Sequence, residues 1–454
     1  MSTINSQVSA EDIKELCDQI LKYNYINPDD FNRFNVKRGL RNSDGTGVMA
    51  GISRVCSVEG YYVSDGERIP KDGRLTFRGI SMEDIVRGCM AENRFGFEEI
   101  VWLLLFGSLP TQKQLSAFCK LLSRCRELPD NFAEDMIMKA PSPDIMNKLA
   151  RSVLALYSYD ENPDDTSLEN VLRQCISIIA QIPVIMVYAY QVKRRHYYKK
   201  SMYIHPIKPE HTTAQAVLGS IRADKTFTDE EARLLDTCLM VHAEHGGGNN
   251  STFATRVLTS SGTDTYSAIA AGIGALKGPK HGGANIKVAQ MVDFIRNDVA
   301  DINDEGQVAD YLRKIIQKEG GDRSGLIYGM GHAVYTISDP RAKILREQAG
   351  KFAAGTEFEE EFHLLNSIEK LTPAIFAEFK GERKNICANV DLYSGLVYKM
   401  LRIPPDLFTP IFTVARVAGW SAHRIEELLT GGRIIRPAYK NINTAGLYVP
   451  ITER

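Results

Sequence analysis

No two cysteines of this sequence stand at CxxC spacing, no apolar run reaches membrane length uninterrupted, and neither sign of charge dominates. Each lack excludes something. The eight cysteines, at 17, 56, 89, 119, 125, 175, 238 and 387, are scattered. That spacing speaks against a four-cysteine zinc site and a disulfide framework, and for reduced thiols in the cytoplasm. The longest greasy stretch, ISIIAQIPVIMVYAY (176–190), is interrupted by Ser177, Gln181 and Pro183. It reads as a kinked core helix rather than a membrane span. A formal net charge of −1 supplies no global field to gather nucleic acid or anionic lipid. There is no internal repeat, no low-complexity tract and no GxxxxGK[ST] phosphate loop. The opening MSTINSQVSAEDIKEL is polar and acidic, so no secretory leader is expected.

What is present is an ordinary globular composition, 44% hydrophobic and 24% charged over 454 residues. That length suggests about three domains, or one large domain with a smaller one inserted. Helical periodicity dominates, and the expected class is mainly α. Ser9 with Asp12 resembles a capping box ahead of Ile13, Leu16 and Ile20. FEEIVWLLLFGSLPT (97–111) predicts a helix stopped by Gly107 and Pro110. Thr228 with Glu231 opens another, whose face carries Leu235, Cys238, Leu239, His242 and His245. Further helices are predicted over 286–297, 340–352, 358–379, 394–402 and 408–429. Strand signals are confined to EGYYVSDGERIPKDGRLTF (59–77), where Asp-Gly pairs predict hairpin turns. KRRHYYKK (193–200) has the look of a nucleic-acid patch, but after a core helix it reads as that helix's solvated basic end. GIGALKG (272–278) imitates a dinucleotide fingerprint without the preceding strand.

Polar side chains with chemical potential concentrate in HAEHGGGNNS (242–251), GPKHGGAN (278–285), GMGHAVYTISDPRA (329–342) and NVDLYSG (389–395). His281 stands in a glycine turn leading into a helix, where the N-terminal partial charge would lower its pKa. A neutral imidazole there can donate to a carbonyl oxygen, and the glycines let a ligand lie against the backbone. Asp391 reads either as a first-turn carboxylate or as a general base. Asp339-Pro340-Arg341 reads as an N-cap, a proline at the first helical position and a first-turn cation that favours a neighbouring anion. Arg416, inside the apolar run FTVARVAG (412–419), requires a partner, because an isolated buried charge is very costly. His242 and His245 could pass for half of a metal site, but no fourth Cys or His is near in sequence, and no metal is expected.

Together with RLTFRGIS (74–81) and FEEIVWLLLFGSLP (97–110), those four segments resemble, in order and interval, the signature segments of the citrate synthase family over roughly residues 35–440. The resemblance implies an all-helical fold, with a large domain (1–282 and 401–454) and an inserted, mobile smaller one (283–400). It implies condensation of acetyl-CoA with oxaloacetate and hydrolysis to citrate, with acetyl-CoA as substrate and no cofactor. Within it His281 assists enolisation, Asp391 is the base and His332 polarises the ketone. Arg341, Arg416 and Arg436 hold carboxylates, Arg436 reaching in from the second subunit of a homodimer. His245 belongs to the oxaloacetate pocket, supported by Asn249 and Ser251, with His242 behind it. Leu326, Ile327, Gly329, Gly331, Lys384 and Asn389 would contact coenzyme A. Thr336 departs from the family, which has Lys or Arg there for a coenzyme A phosphate, and Lys384 is the expected substitute. Ala333 stands where many bacterial relatives carry Arg. A 2-methylcitrate synthase using propionyl-CoA and a non-catalytic anion-binding helical protein are the alternatives. ATP-dependent citrate lyase lacks the modules it would need here.

Overall fold

The computed structural model describes residues 9–42, 44–380 and 385–454. It divides into two compact units, one of Met1–Met49 with Arg436–Arg454 and one of Ala50–Ile435. In the terminal unit the predicted first helix spans Ala10–Tyr23, followed by a short turn of helix at Asp29–Arg33. Lys440 of its second stretch lies over the Phe34 ring at 5.6 Å.

The larger unit is helical, with one three-stranded sheet among the described residues. Its hairpin pairs Cys56–Ser64 with Glu67–Phe77. Asp65 (φ 50) and Gly66 (φ 81) make the two-residue turn, because both positions need positive φ for the turn's twist to match the strands. The second Asp-Gly pair, expected as a turn, runs inside the second strand instead. Gly73 is there for close approach, since a Cβ would collide with Ser338 O and the Tyr335 ring. Its N–H donates to Ser338 Oγ at 3.1 Å, and that hydroxyl donates to Asp72 at 2.7 Å. The hairpin is thereby sewn to the segment between His332 and Arg341.

The helices end where their punctuation falls. Phe97–Phe106 stops at Gly107 in the left-handed region (φ 86), as a C-terminal glycine allows. Thr228 caps Asp229–His242 in a capping box with Glu231. That helix ends at His242, so His245 belongs to the turn beyond it and not to the helix face. Leu168–His196 runs through Pro183 and, although long and apolar enough to cross a membrane, has 78% of its most apolar window buried in the protein. Its basic end is solvated as expected from Arg195 to Lys200, while buried Lys193, together with Tyr198, bonds Asp406, at 2.6 and 2.7 Å. Phe408–Leu429 is buried on every face from Phe408 to Ile425, as an apolar-all-round helix should be. This central helix carries Arg416, Trp420 and His423, and the site is built around it.

Candidate active site

Three loops and the turn that follows His242 carry the candidate side chains. The first is the Gly278–Gly283 turn between the helices Thr265–Lys277 and Ala284–Asp298. Gly282 is required because a Cβ would overlap Leu276 O, and Thr409 Oγ1 holds the Gly282 carbonyl at 2.8 Å. On this anchored turn His281 Nε2 lies 3.1 Å from Asn249 Oδ1 and 3.0 Å from Ser251 Oγ. Asn249 and Ser251, expected beside His245, thus bond His281 instead. Trp420 Nε1 donates to Ser251 Oγ at 3.2 Å. Burial, then the Arg416 charge, pull the His281 imidazole down to about 4. The expected lowering is present, with burial and the Arg416 charge as its causes. His281 is neutral at any pH where the protein would work.

The second loop carries His332. Gly329 (φ 81) and Gly331 (φ 90) supply left-handed turns that other residues would resist. His332 Nδ1 accepts from the backbone N–H of Val334 (3.0 Å) and Tyr335 (3.1 Å). Because that nitrogen is an acceptor, the proton of the neutral ring is on Nε2. The ring stacks on Tyr335 at 4.7 Å and meets His245 edge-on at 5.1 Å. The His245 ring is pushed well below its ordinary value by burial, then by Arg341, His332, Arg416 and His281. The charges acting on it identify its neighbours.

The third loop ends at Asp391, the first residue of the helix Asp391–Met400 rather than a residue ahead of it. Burial raises its carboxyl to about 7, against the opposing charges of Arg341 and Arg416 and with help from Asp339. A carboxyl poised near neutrality and an imidazole drawn down to about 4, both under the Arg416 charge, fit the pattern by which acid and base roles separate in one site.

Two guanidinium groups line this pocket. Arg341 sits at the start of Pro340–Ala353, where Asp339 is the N-cap as predicted. Its Nε and Nη2 fork onto the two Asp339 oxygens at 3.0 and 2.7 Å. Arg416 is 0% exposed. Its Nε donates to His242 O at 2.7 Å and Phe412 lies 4.7 Å beneath its plane. Nη1 and Nη2 are buried without a hydrogen-bond partner. Burial pulls this group down to about 10, opposed chiefly by the Glu244 charge. Donors left orphaned in a dry site are costly, and a carboxylate would satisfy both. The His242 ring packs on Phe412 at 4.3 Å, and its carbonyl is what Arg416 bonds.

Behind the pocket lies a network that the sequence reading missed. Glu244 Oε1 accepts from Gly246 N–H at 2.5 Å and from His423 Nε2 at 3.0 Å. His423 Nδ1 faces Arg256 Nη1 at 2.8 Å. Arginine only donates, so Nδ1 accepts and the His423 proton is on Nε2, pointing at Glu244. This pins the turn that delivers His245 and Asn249. The acidic residue inside HAEHG was the available signal. Tyr335, the platform for His332, was also inside a quoted motif and was not singled out.

The remaining predicted residues scatter. Leu326 is exposed and lines a hollow with Lys287, Phe294 and Tyr328, whereas Ile327 is buried. Thr336 Oγ1 is buried without a partner. Asn389 turns its amide into the protein, onto Gly331 O and Asp391 N–H, at 2.9 and 3.0 Å. Lys384 lies outside the described residues. Arg436 is exposed at the start of the second stretch of the terminal unit.

Comparison with known proteins points the same way as the geometry. The model of the family described as "Citrate synthase, C-terminal domain" matches residues 44–438. The chain is 33% identical to 2-methylcitrate synthase 1 of Corynebacterium glutamicum, covering 90% of this chain and 98% of that protein. It is also 33% identical to a citrate synthase of Synechocystis, covering 90% and 92%. Among solved structures it is similar to a citrate synthase from Thermoplasma acidophilum in ternary complex with carboxymethyl coenzyme A and oxaloacetate. The TM-score is 0.74 at 27% identity, over 92% of this chain and 99% of that one.

Proposed function

The chain belongs to the citrate synthase family, and from that premise we propose that it condenses acetyl-CoA with oxaloacetate and hydrolyses the product to citrate and coenzyme A. The carrying observation is a carboxyl near neutrality and a neutral imidazole that both feel the charge of one guanidinium, whose outer nitrogens have no protein acceptor. Each fits one demand of the reaction.

The methyl protons of a thioester are weakly acidic, so a base needs a partner that stabilises the charge forming on the carbonyl oxygen. Asp391 takes the proton. His281, as a neutral imidazole, donates a ring N–H to the thioester oxygen. The enol carbon then attacks the ketone of oxaloacetate, whose oxygen receives the Nε2–H of His332. Arg341 and Arg416 hold the oxaloacetate carboxylates, with Arg436 of a second subunit as the third cation and His245 at the pocket wall. The backbone from Leu326 to Gly331 carries the coenzyme A arm, and Lys384 stands in for the basic residue absent at Thr336. Water finally attacks the thioester carbonyl, the C–S bond breaks, and coenzyme A leaves as the thiol. No metal or redox group takes part in this sequence. Closure of 283–400 over the remainder would exclude water until citryl-CoA exists. The enzyme is then an acyltransferase whose acyl group becomes alkyl on transfer. It works as a homodimer, and its eight free cysteines suit the cytoplasm.

Thiol release from acetyl-CoA should depend on oxaloacetate and be negligible without it. Absence of release with both acetyl-CoA and propionyl-CoA would overturn the proposal. Relatives named for 2-methylcitrate stand at the same identity as those named for citrate. Comparing the two thioesters therefore decides the acyl group, where one methylene discriminates by about 10- to 200-fold.

The reaction's pH dependence follows from Asp391. Its carboxyl is a base only when ionised, so kcat/KM should climb as pH rises through about 7. His281, held near 4, contributes no second limb in that range. A profile flat from pH 5.5 to 8.5 would remove Asp391 from the base role.

A further inference from the structure

The two loops that carry His332 and Asp391 are bonded into one piece. Met330 and Ala388 form an antiparallel bridge. Gly331 N–H donates to Cys387 O at 2.8 Å, and Asn389 N–H donates to Gly329 O at 2.9 Å. The Asn389 side chain then spans the junction. Its Nδ2 donates to Gly331 O at 2.9 Å, one residue before His332. Its Oδ1 accepts the N–H of Asp391 at 3.0 Å. Only one orientation of the amide serves both partners, because Gly331 O can only accept and Asp391 N–H can only donate. The loops also interlock sterically, since a Cβ on Gly329 would come within 2.9 Å of Leu392 Cα.

We propose that Asn389 is a positioning residue that rivets the base-bearing turn to the imidazole-bearing loop, so that Asp391 and His332 keep their spacing as one body. This rests on the reading of those two groups as reacting partners, and it assigns Asn389 a different task from contact with coenzyme A. The backbone bridge sets the register of the two loops, and the amide sets the last residue of each. Removing the amide leaves the bridge but frees the Asp391 N–H and the Gly331 carbonyl, the groups adjoining the reacting side chains. A misplacement of about 1 Å between reacting groups can cost about 10²-fold in rate.

The test compares wild type with Asn389→Ala and Asn389→Asp. Asn389→Ala should lower kcat by about 10²-fold while KM for acetyl-CoA and the calorimetric affinity for oxaloacetate stay unchanged. A contact residue would behave oppositely, with KM for acetyl-CoA raised and kcat at saturation kept, and that result overturns the proposal. Amide hydrogen exchange gives a readout without turnover. In Asn389→Ala exchange should quicken in 327–332 and in 388–392 together, and acceleration confined to 388–392 would show that the loops are not one body. Asn389→Asp keeps an acceptor for Asp391 N–H but sets a carboxylate oxygen against Gly331 O, so it should act mainly on 327–332. It also preserves the test if the alanine variant folds poorly. Wild-type protein that releases no thiol would sink the catalytic reading, with the exchange arm still deciding whether Asn389 joins the loops.

Discussion

Asp391→Asn is expected to lower kcat by about 10²–10⁴-fold, the range a positioned general base contributes, while oxaloacetate binds nearly as before. The substitution keeps the shape and the backbone N–H that bonds Asn389, but it removes the proton acceptor. A carboxamide has no basicity near neutral pH, and no second carboxyl is poised to replace it. Asp339 is committed to Arg341 through both oxygens, and Glu244 faces His423 and Gly246. The variant also carries a stability signature with a determined sign. In wild type the folded-state carboxyl is raised from its ordinary value of 3.8 to about 7. Between those values the folded protein keeps a proton that the unfolded chain releases. This contribution to wild-type stability is fully present below pH 4 and is lost as pH rises through about 7. The slope is at most about 1.4 kcal/mol per pH unit. Asparagine does not titrate, so urea denaturation should show the variant gaining on wild type between pH 5 and pH 8. A variant that retains turnover, or a stability difference that does not change with pH, would show that Asp391 is neither the base nor a carboxyl held near neutrality.

What the sequence made legible was local. A capping box, a proline at a first helical position, an Asp-Gly turn and a C-terminal glycine each act within four residues, and Thr228, Pro340, Asp65–Gly66 and Gly107 appear in those roles. The same Asp-Gly pair at 72–73 misled, because Gly73 answers to Ser338 and Tyr335, more than 260 residues away, and not to its own strand. The expected site residues illustrate the division. The Arg416 demand for an anion followed from placing a cation in an apolar helix, and its outer nitrogens are indeed orphaned. The low value of His281 was foreseen from a nearby helix terminus, and burial and Arg416 are its causes. Electrostatic neighbours are set by tertiary packing, as are the pairings of Glu244 with His423 and of Ser251 with His281. The spacing of residues along a chain does not encode them.

Arg416→Met is expected to move binding and stability in opposite directions. In the protein without substrate the guanidinium is fully buried, bonded through Nε alone, and orphaned at Nη1 and Nη2. Its desolvation is opposed chiefly by the Glu244 charge. Replacing such a cation with an apolar side chain of similar length removes a destabilising term, at the cost of one hydrogen bond worth about 1 kcal/mol. Glu244 loses the Arg416 charge and has an unpartnered Oε2, but its bonds to Gly246 and His423 persist and limit the cost on its side. The melting temperature of the variant without substrate should therefore equal or exceed that of wild type. Binding should suffer, because a substrate carboxylate would enter the same dry pocket without its partner. Truncating one half of a buried charge pair costs about 2–5 kcal/mol, roughly 30- to 4,000-fold in Kd. Saturating oxaloacetate stabilises whatever binds it, by RT ln(1 + [L]/Kd), so adding it should reverse the order of the two melting temperatures. A variant that melts far below wild type without substrate, yet binds oxaloacetate as tightly, would make Arg416 a structural cation and leave the pocket's anion to be held elsewhere.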